Sequence, residues 1–177
     1  MAASDVSYIN PRTGKTWSVE EPVWRAPDDG EYVNLTPGTG LVRSDIQIDI
    51  PGLWRYRSAI RLPKVDFETL GEGWTPLVRS NLGGAPVAVK CEHLMPSGSF
   101  KDRGTTVLFN YLKHSGVLEL LEDSSGNAGS SYATYAAAFG LNCRILVPAN
   151  APAGKKAQIA AMGAHLEPVE GTREDVA

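Results

Sequence analysis

From Pro86 onward, short β-favouring runs take turns with segments of helical period, and this order narrows the possible folds more than any other feature of the chain. "PVAVKCEHL" has the valine-rich, bounded character of a strand. The segment "SFKDRGTTVLFNYLKHSG" then sets Phe100, Gly104, Leu108, Tyr111 and Leu112 at helical spacing, with Gly116 as the stop. "VLELLED" reads as another strand. "AGSSYATYAAAFG" is a helix with Tyr132, Tyr135, Ala136 and Phe139 on one face and Gly140 at its end. "CRILVP", "AGKKAQIAAMGA" and "HLEPV" continue as strand, helix and strand. Strands joined through helices require right-handed crossovers, so the expected class is α/β with a parallel sheet. Ligands of such sheets bind beyond the carboxyl ends of the strands, in the strand-to-helix loops.

The first 62 residues differ in texture. They are rich in Pro, Gly, Trp and Arg, with turn dipeptides at Asp29-Gly30 and Pro37-Gly38, and predict short strands and an extended arm. "LWRYRSAI" predicts one or two helical turns anchored by Trp54 and Tyr56. Two domains follow from this: 1–62 as the arm and 63–177 as the α/β unit. No internal repeat stands out. A net charge of -3 offers no footprint for nucleic acid or an anionic membrane. No apolar run approaches the roughly 18 residues of a spanning helix, and the first residues do not pattern as a secretory signal. Cys91 and Cys143 lie far apart and read as buried thiols; His93, His114 and His165 are isolated, so no metal is expected. The chain reads as cytoplasmic, without nucleic-acid or membrane partners.

Two strand-to-helix loops carry the chemistry. In "PSGSFK", Ser97, Gly98 and Ser99 form a small polar turn, with Ser99 as the expected N-cap. Lys101 then falls in the first helical turn, where the helix dipole opposes its ammonium form; burial would favour the neutral amine that condenses with an aldehyde. The plainer alternative is a solvated lysine offset by Asp102. In "SSGNAG", Ser124 or Ser125 is placed to cap, Gly126 lets a ligand approach the backbone, and Asn127 offers a donor and an acceptor. An amine on one loop and an anion cradle on the next describe a site for an amino acid held through an aldehyde cofactor. Phosphate P-loop, GxGxxG and Ser-His-Asp readings find no matching residues.

"EHLMPSGSFKDRG" followed by "SSGNAGSSYATYAAAFG" resembles the fold-type II pyridoxal-phosphate enzymes of the tryptophan synthase β-like superfamily, and among them the threonine synthase-like members. "LGEGWTPLVRSNLG", "LWRYRSAIRLP" and "VPANAPAGKKAQIAAMGAHLEPVEGTRED" extend the resemblance from about Leu53 to the last residue. It implies pyridoxal 5'-phosphate as cofactor. Lys101 matches the lysine that carries that cofactor and later moves protons at substrate carbons, and Phe100 matches a residue lining its pocket. Asn127 matches the asparagine bonded to its phenolic oxygen, while Ser125, Gly126 and Ala128 match the loop holding the substrate α-carboxylate. The implied activity is a lyase converting O-phosphohomoserine to threonine and phosphate, in a homo-oligomer, a dimer, acting on a small amino acid. The alternatives are another β-elimination or β-replacement enzyme on serine- or threonine-like substrates, and a non-catalytic fragment. Lys155 and Lys156 are phosphate-binding candidates by charge alone, against a solvated helix face.

The sequence also departs from the pattern. Met95 replaces the usual asparagine before the proline, and Ser97 replaces the threonine after it. "PVWRAPDDGEYV" resembles half of a zinc ribbon, with Ala26 and Asp29 where paired cysteines would stand. The phosphate-binding glycine loop and the partner of the pyridine nitrogen have no counterpart after Asn127. The chain is therefore expected to be the N-terminal portion of a longer enzyme, with apolar faces left uncovered.

Overall fold

The computed structural model describes residues 6–62, 66–124, 126–171 and 173–176. Three short strands come first: β1 (Ser7–Ile9), β2 (Thr16–Ser18) and β3 (Asn34–Leu35), with β1 central and antiparallel to both neighbours. The arm then makes a single 3-10 turn at Leu53–Tyr56. Trp54 anchors it, 3% exposed and stacked on Phe67 with ring centroids 4.5 Å apart. Tyr56, expected as the second anchor, is instead 38% exposed, because the turn directs only one of its aromatics inward.

The largest departure from expectation lies at the first strand. The "PVAVK" run forms β5 (Ala85–Lys90), which pairs antiparallel with β4 (Leu77–Leu82) and does not join the parallel sheet. Gly83 and Gly84, with φ of 59° and 88°, form the two-residue turn between them. A pair of left-handed residues matches the twist of a hairpin, and two glycines reach it without steric cost. A Gly-Gly pair between β-favouring runs is a hairpin signal, and it overrides the crossover reading here.

The α/β part follows as α1 (Asp102–His114), β6 (Glu119–Glu122), α2 (Asn127–Phe139), β7 (Asn142–Pro148), α3 (Ala153–Ala161), β8 (His165–Val169) and a last turn, α4 (Arg173–Val176). The sheet order is β6-β7-β8 and both pairings are parallel, with Glu119 opposite Asn142 and Arg144 opposite His165. The parallel sheet with helical crossovers is thus as expected, but it begins at Glu119. Gly116 (φ 73°) and Gly140 (φ 72°) end α1 and α2 in the left-handed conformation.

The core sits between α1, α2, α3 and the central strand: Phe109, Tyr135, Phe139, Ile145, Val147 and Ile159 are nearly or wholly excluded from solvent. Phe109 meets Phe139 edge-on at 5.9 Å, a favoured aromatic geometry. Cys143 joins this core and Cys91 is buried elsewhere; both are free, and burial with Glu122 nearby pushes the Cys143 thiol up to about 11. The inward face of α2 matches expectation, with Tyr132 at its half-buried margin. That of α1 does not. Asp102, Thr105, Thr106, Phe109 and Asn110 turn inward, while Phe100 is 56% exposed. This helix packs on buried carboxylates, which favour the polar stripe over the apolar one.

Leu77, Leu82, Leu94, Leu118 and Leu121 are exposed, on the hairpin, the turn before the Lys101 loop and the edge of the parallel sheet. Among the described residues no helix is long and apolar enough to cross a membrane.

Candidate active site

Lys101 occupies the N-cap of α1 and Asn127 is the first residue of α2. Both side chains are exposed. The burial that would favour a neutral amine is therefore not found around Lys101, whose Nζ lies 5.2 Å from the centroid of the Phe100 ring. Nor is Ser99 the N-cap, which falls two positions later at Lys101; the Ser99 Oγ accepts the Lys101 N–H at 3.4 Å. Gly98 (φ 84°) reverses the chain ahead of this helix start.

What fixes these helix starts is a buried carboxylate. Asp102 is fully buried and does not offset Lys101. One oxygen accepts the Ser97 N–H at 2.7 Å; the other accepts the Ser97 hydroxyl and, at 2.5 Å, that of Ser131 on α2. The Ser97 carbonyl in turn accepts the Gln158 side-chain N–H from α3 at 2.8 Å. The Lys101 loop is thereby bolted to both following helices. A carboxylate bonded to hydroxyls and a backbone N–H is satisfied without a cation, and the low local dielectric strengthens each bond. Ser97 keeps the hydroxyl that this arrangement needs. Met95, the other departure, is buried, and its sulfur accepts the Gly73 N–H at 3.2 Å.

A second buried carboxylate was invisible as such in the sequence. Glu72 is fully buried and accepts five bonds: from Trp54 Nε1 (2.7 Å), Thr69 (2.9 Å) and Thr106 (2.9 Å) on Oε1, and from the Leu70 N–H (3.0 Å) and Tyr135 OH (2.9 Å) on Oε2. It ties the arm, α1 and α2 together beneath the loop. Burial first, then the Glu72 charge, pushes the Tyr135 phenol well above its ordinary value, so it stays a donor. The loop above it holds Trp74 at φ 51°, a left-handed conformation that costs an aromatic residue about 1–2 kcal/mol. Arg55 lies over the Trp74 ring at 5.0 Å.

Arg103, two residues beyond Lys101, forms a bidentate pair with Glu92 at 2.8 and 2.9 Å, and Thr75 donates to the same carboxylate at 2.6 Å. Arg103 foremost, then Thr75 and Lys90, holds the Glu92 carboxyl down to about 2. A depressed carboxylate stabilises the fold fully above its ordinary value near 4.5 and loses that contribution as pH falls toward 2. The pair is partly exposed, so the expected contribution is about 1 kcal/mol after solvent screening. Urea midpoints measured from pH 6 to pH 3 should fall more for the native chain than for Glu92→Gln.

In the second loop Gly126 is the N-cap of α2, and its N–H lies 3.3 Å from the Ser124 hydroxyl. Ser125, expected both as a cap and as a carboxylate ligand, lies outside the described residues. Ala128 is half-buried. Gly129 is a residue that the motif quoted but gave no role. A Cβ there would stand 2.1 Å from the Ser124 carbonyl oxygen and 3.1 Å from Ile159. Gly129→Ala is expected to cost about 3 kcal/mol and to displace the Asn127 loop, readable as a lower melting temperature and altered amide shifts at Gly126 and Asn127. Lys156 reaches the Ala149 carbonyl at 3.3 Å, so its amine is not fully solvated; the side chain of Lys155 lies outside the described residues.

The structure thus brings the starts of α1 and α2 to one end of the fold, joined by Asp102–Ser131, with an exposed amine on one and an exposed amide on the other. The Lys101 side chain does not cap its own helix, and an aromatic ring stands beside the amine. These residues fit pyridoxal 5'-phosphate in kind. They offer a primary amine for an aldehyde, an amide for a ring oxygen and a helix N-terminus for an anion.

Residues 68–177, well over half of the chain, match the family described as pyridoxal-phosphate dependent enzyme. The chain belongs to this family. Its cofactor is pyridoxal 5'-phosphate, and its members are enzymes. Among curated proteins, the threonine synthase of Methanocaldococcus jannaschii is 40% identical over 182 residues, covering 93% of this chain and 43% of that protein. The threonine synthase of Mycobacterium tuberculosis is 40% identical over 112 residues, 60% of this chain and 31% of that protein. Among solved structures, a hydrogen sulfide-producing enzyme from Fusobacterium nucleatum aligns with a TM-score of 0.55 at 25% identity, covering 59% of this chain and 37% of the other. Serine racemase from Dictyostelium discoideum aligns at 0.50 and 30%, covering 57% and 34%. The chain therefore spans between about a third and two fifths of the curated relatives it matches.

Proposed function

We propose that this chain forms the lysine-bearing portion of a pyridoxal-phosphate-dependent lyase of the threonine synthase type, which converts O-phosphohomoserine and water to threonine and phosphate. The observation that carries the reading is the bolted pair of helix starts, with Lys101 on one and Asn127 on the other, in a chain 40% identical to a threonine synthase over 93% of its length.

The cofactor, when bound, supplies the electron sink that lets a substrate carbon give up a proton. The chain's own residues do the rest. The Lys101 amine holds the cofactor aldehyde and afterwards takes and returns protons at substrate carbons, work for which a primary amine at the end of a four-carbon stem is suited. The Asn127 amide orients the cofactor ring through its oxygen. Ser125, Gly126 and Ala128 hold the α-carboxylate against the N-terminus of α2, where backbone N–H groups and the helix dipole favour an anion. Asp102 and Ser131 keep these loops in register through the cycle. Tyr8 of the N-terminal arm braces the far end of α1, its hydroxyl donating to Tyr111 at 2.8 Å.

The serine racemase and an O-ureido-L-serine synthase among the structural neighbours support a second reading, in which the substrate is serine- or threonine-like and loses its β-substituent or is racemised. The two separate by product. The natural gene product supplied with O-phosphohomoserine is expected to release phosphate and form threonine in equal amounts. Ammonia and a keto acid from serine, with O-phosphohomoserine untouched, would overturn the first reading in favour of the second.

A further inference from the structure

The N-terminal unit contains a structural repeat that its amino acids disguise. Asn10-Pro11-Arg12-Thr13-Gly14 and Ala26-Pro27-Asp28-Asp29-Gly30 share only proline and glycine, yet their backbones make the same bonds. Gly14 donates to the Asn10 carbonyl and Gly30 to the Ala26 carbonyl, each at 2.8 Å. Asn10 donates to Lys15 at 2.9 Å and Ala26 to Glu31 at 2.7 Å. Both glycines are left-handed, at φ 73° and 75°. Two such turns, each with two residues between its first and fourth positions, have the spacing of a paired C-x2-C metal knuckle.

Side chains join the turns. Asn10 is fully buried, and its amide hydrogens reach Asp28 Oδ1 at 3.0 Å and Asp29 Oδ1 at 2.9 Å. Its oxygen accepts the Arg12 N–H at 2.9 Å, so a buried asparagine is satisfied on both sides. The Thr13 hydroxyl donates to Asp28 Oδ2 at 2.8 Å, and Ala26 is 2% exposed. Positions 10, 13, 26 and 29 hold Asn, Thr, Ala and Asp: no thiol and no imidazole. Among the described residues no group of three or more His, Cys, Asp or Glu is placed to hold a metal ion.

We infer that these turns are a complete pair of metal knuckles in which a hydrogen-bonded clasp centred on Asn10 replaces the metal, while the backbone still frames a four-ligand cation site. The half-ribbon read at Ala26 and Asp29 therefore has its other half at Asn10 and Thr13. The inference is independent of the proposed catalysis. It is tested on the full chain carrying N10C, T13C, A26C and D29C together, refolded with cobalt(II). One equivalent bound with the absorption of a tetrahedral cobalt thiolate, removed by chelator, is the expected result; a folded variant without that spectrum overturns the inference. In the native background, Asn10→Ala is expected to abolish amide-exchange protection at Arg12, Gly14 and Gly30 while β7 amides keep theirs. Unchanged protection at those three overturns it too, whether or not the four-cysteine variant folds. The native chain should keep its melting temperature in chelator; a chelator-induced fall, or stoichiometric zinc in the purified chain, contradicts a metal-free clasp.

Discussion

Lys101→Ala is expected to abolish covalent cofactor capture and to lower turnover of the natural gene product by at least about 10³-fold, since the proposed function gives one side chain both the cofactor and the proton transfers. Pyridoxal phosphate added to the native protein should produce the visible absorbance of an imine, and borohydride should then fix one cofactor mass on the peptide containing Lys101. The variant should show neither, while its circular dichroism stays native, because Lys101 is exposed and bonds to its neighbours only through its backbone and a ring contact. Lys101→Arg separates charge from chemistry. It retains the cation but has no amine able to condense, and should be as inactive as the alanine variant. Equal labelling of several lysines, surviving Lys101→Ala, would show capture to be non-specific.

The second large effect belongs to a residue that touches no reactant. Glu72→Gln is expected to destabilise the fold by about 3–5 kcal/mol, a large share of a domain's total stability. Five donors converge on this carboxylate, and an amide would present two hydrogens where five groups need acceptors. The cost arises from orphaned donors, so Thr106→Ala, which removes one of them, should be milder and should soften the penalty of Glu72→Gln in a double-mutant cycle. Urea denaturation of the four chains measures this directly. A penalty below about 1 kcal/mol would mean that the converging bonds do not support the arm and the two helices together.

The contrast between these residues shows what was legible in the sequence. Strand-helix order from Glu119 onward could be read from periodicity, because glycine at 116 and 140 ends each helix where the apolar pattern does. The placement of Lys101 and Asn127 at helix starts could be read because loop patterns are local: a small polar turn before a helix is the same in sequence and in space. The first strand departs from the crossover pattern because the Gly83-Gly84 turn folds it back on Leu77–Leu82 as a hairpin. The buried face of α1 was misassigned for a different reason. Apolar spacing assumes an apolar environment, and this helix faces Glu72, with Asp102 turned inward as one of its own residues. Burial of a carboxylate is set by donors from distant segments, here Trp54, Thr106 and Tyr135, and no local pattern announces it. The twin turns at Asn10 and Ala26 were missed because their likeness lies in the backbone and only proline and glycine carry it into the sequence.

The account stands on the amine at 101 and the amide at 127 opening onto one cofactor. Amide spectra of the isotopically labelled chain, recorded as pyridoxal phosphate is added, test this most directly. Shifts concentrated together at Gly98–Gly104 and at Gly126–Gly129, saturating at one cofactor per chain, are the expected result. Shifts confined to one loop, or scattered over lysine-bearing surfaces with no saturation, would contradict it.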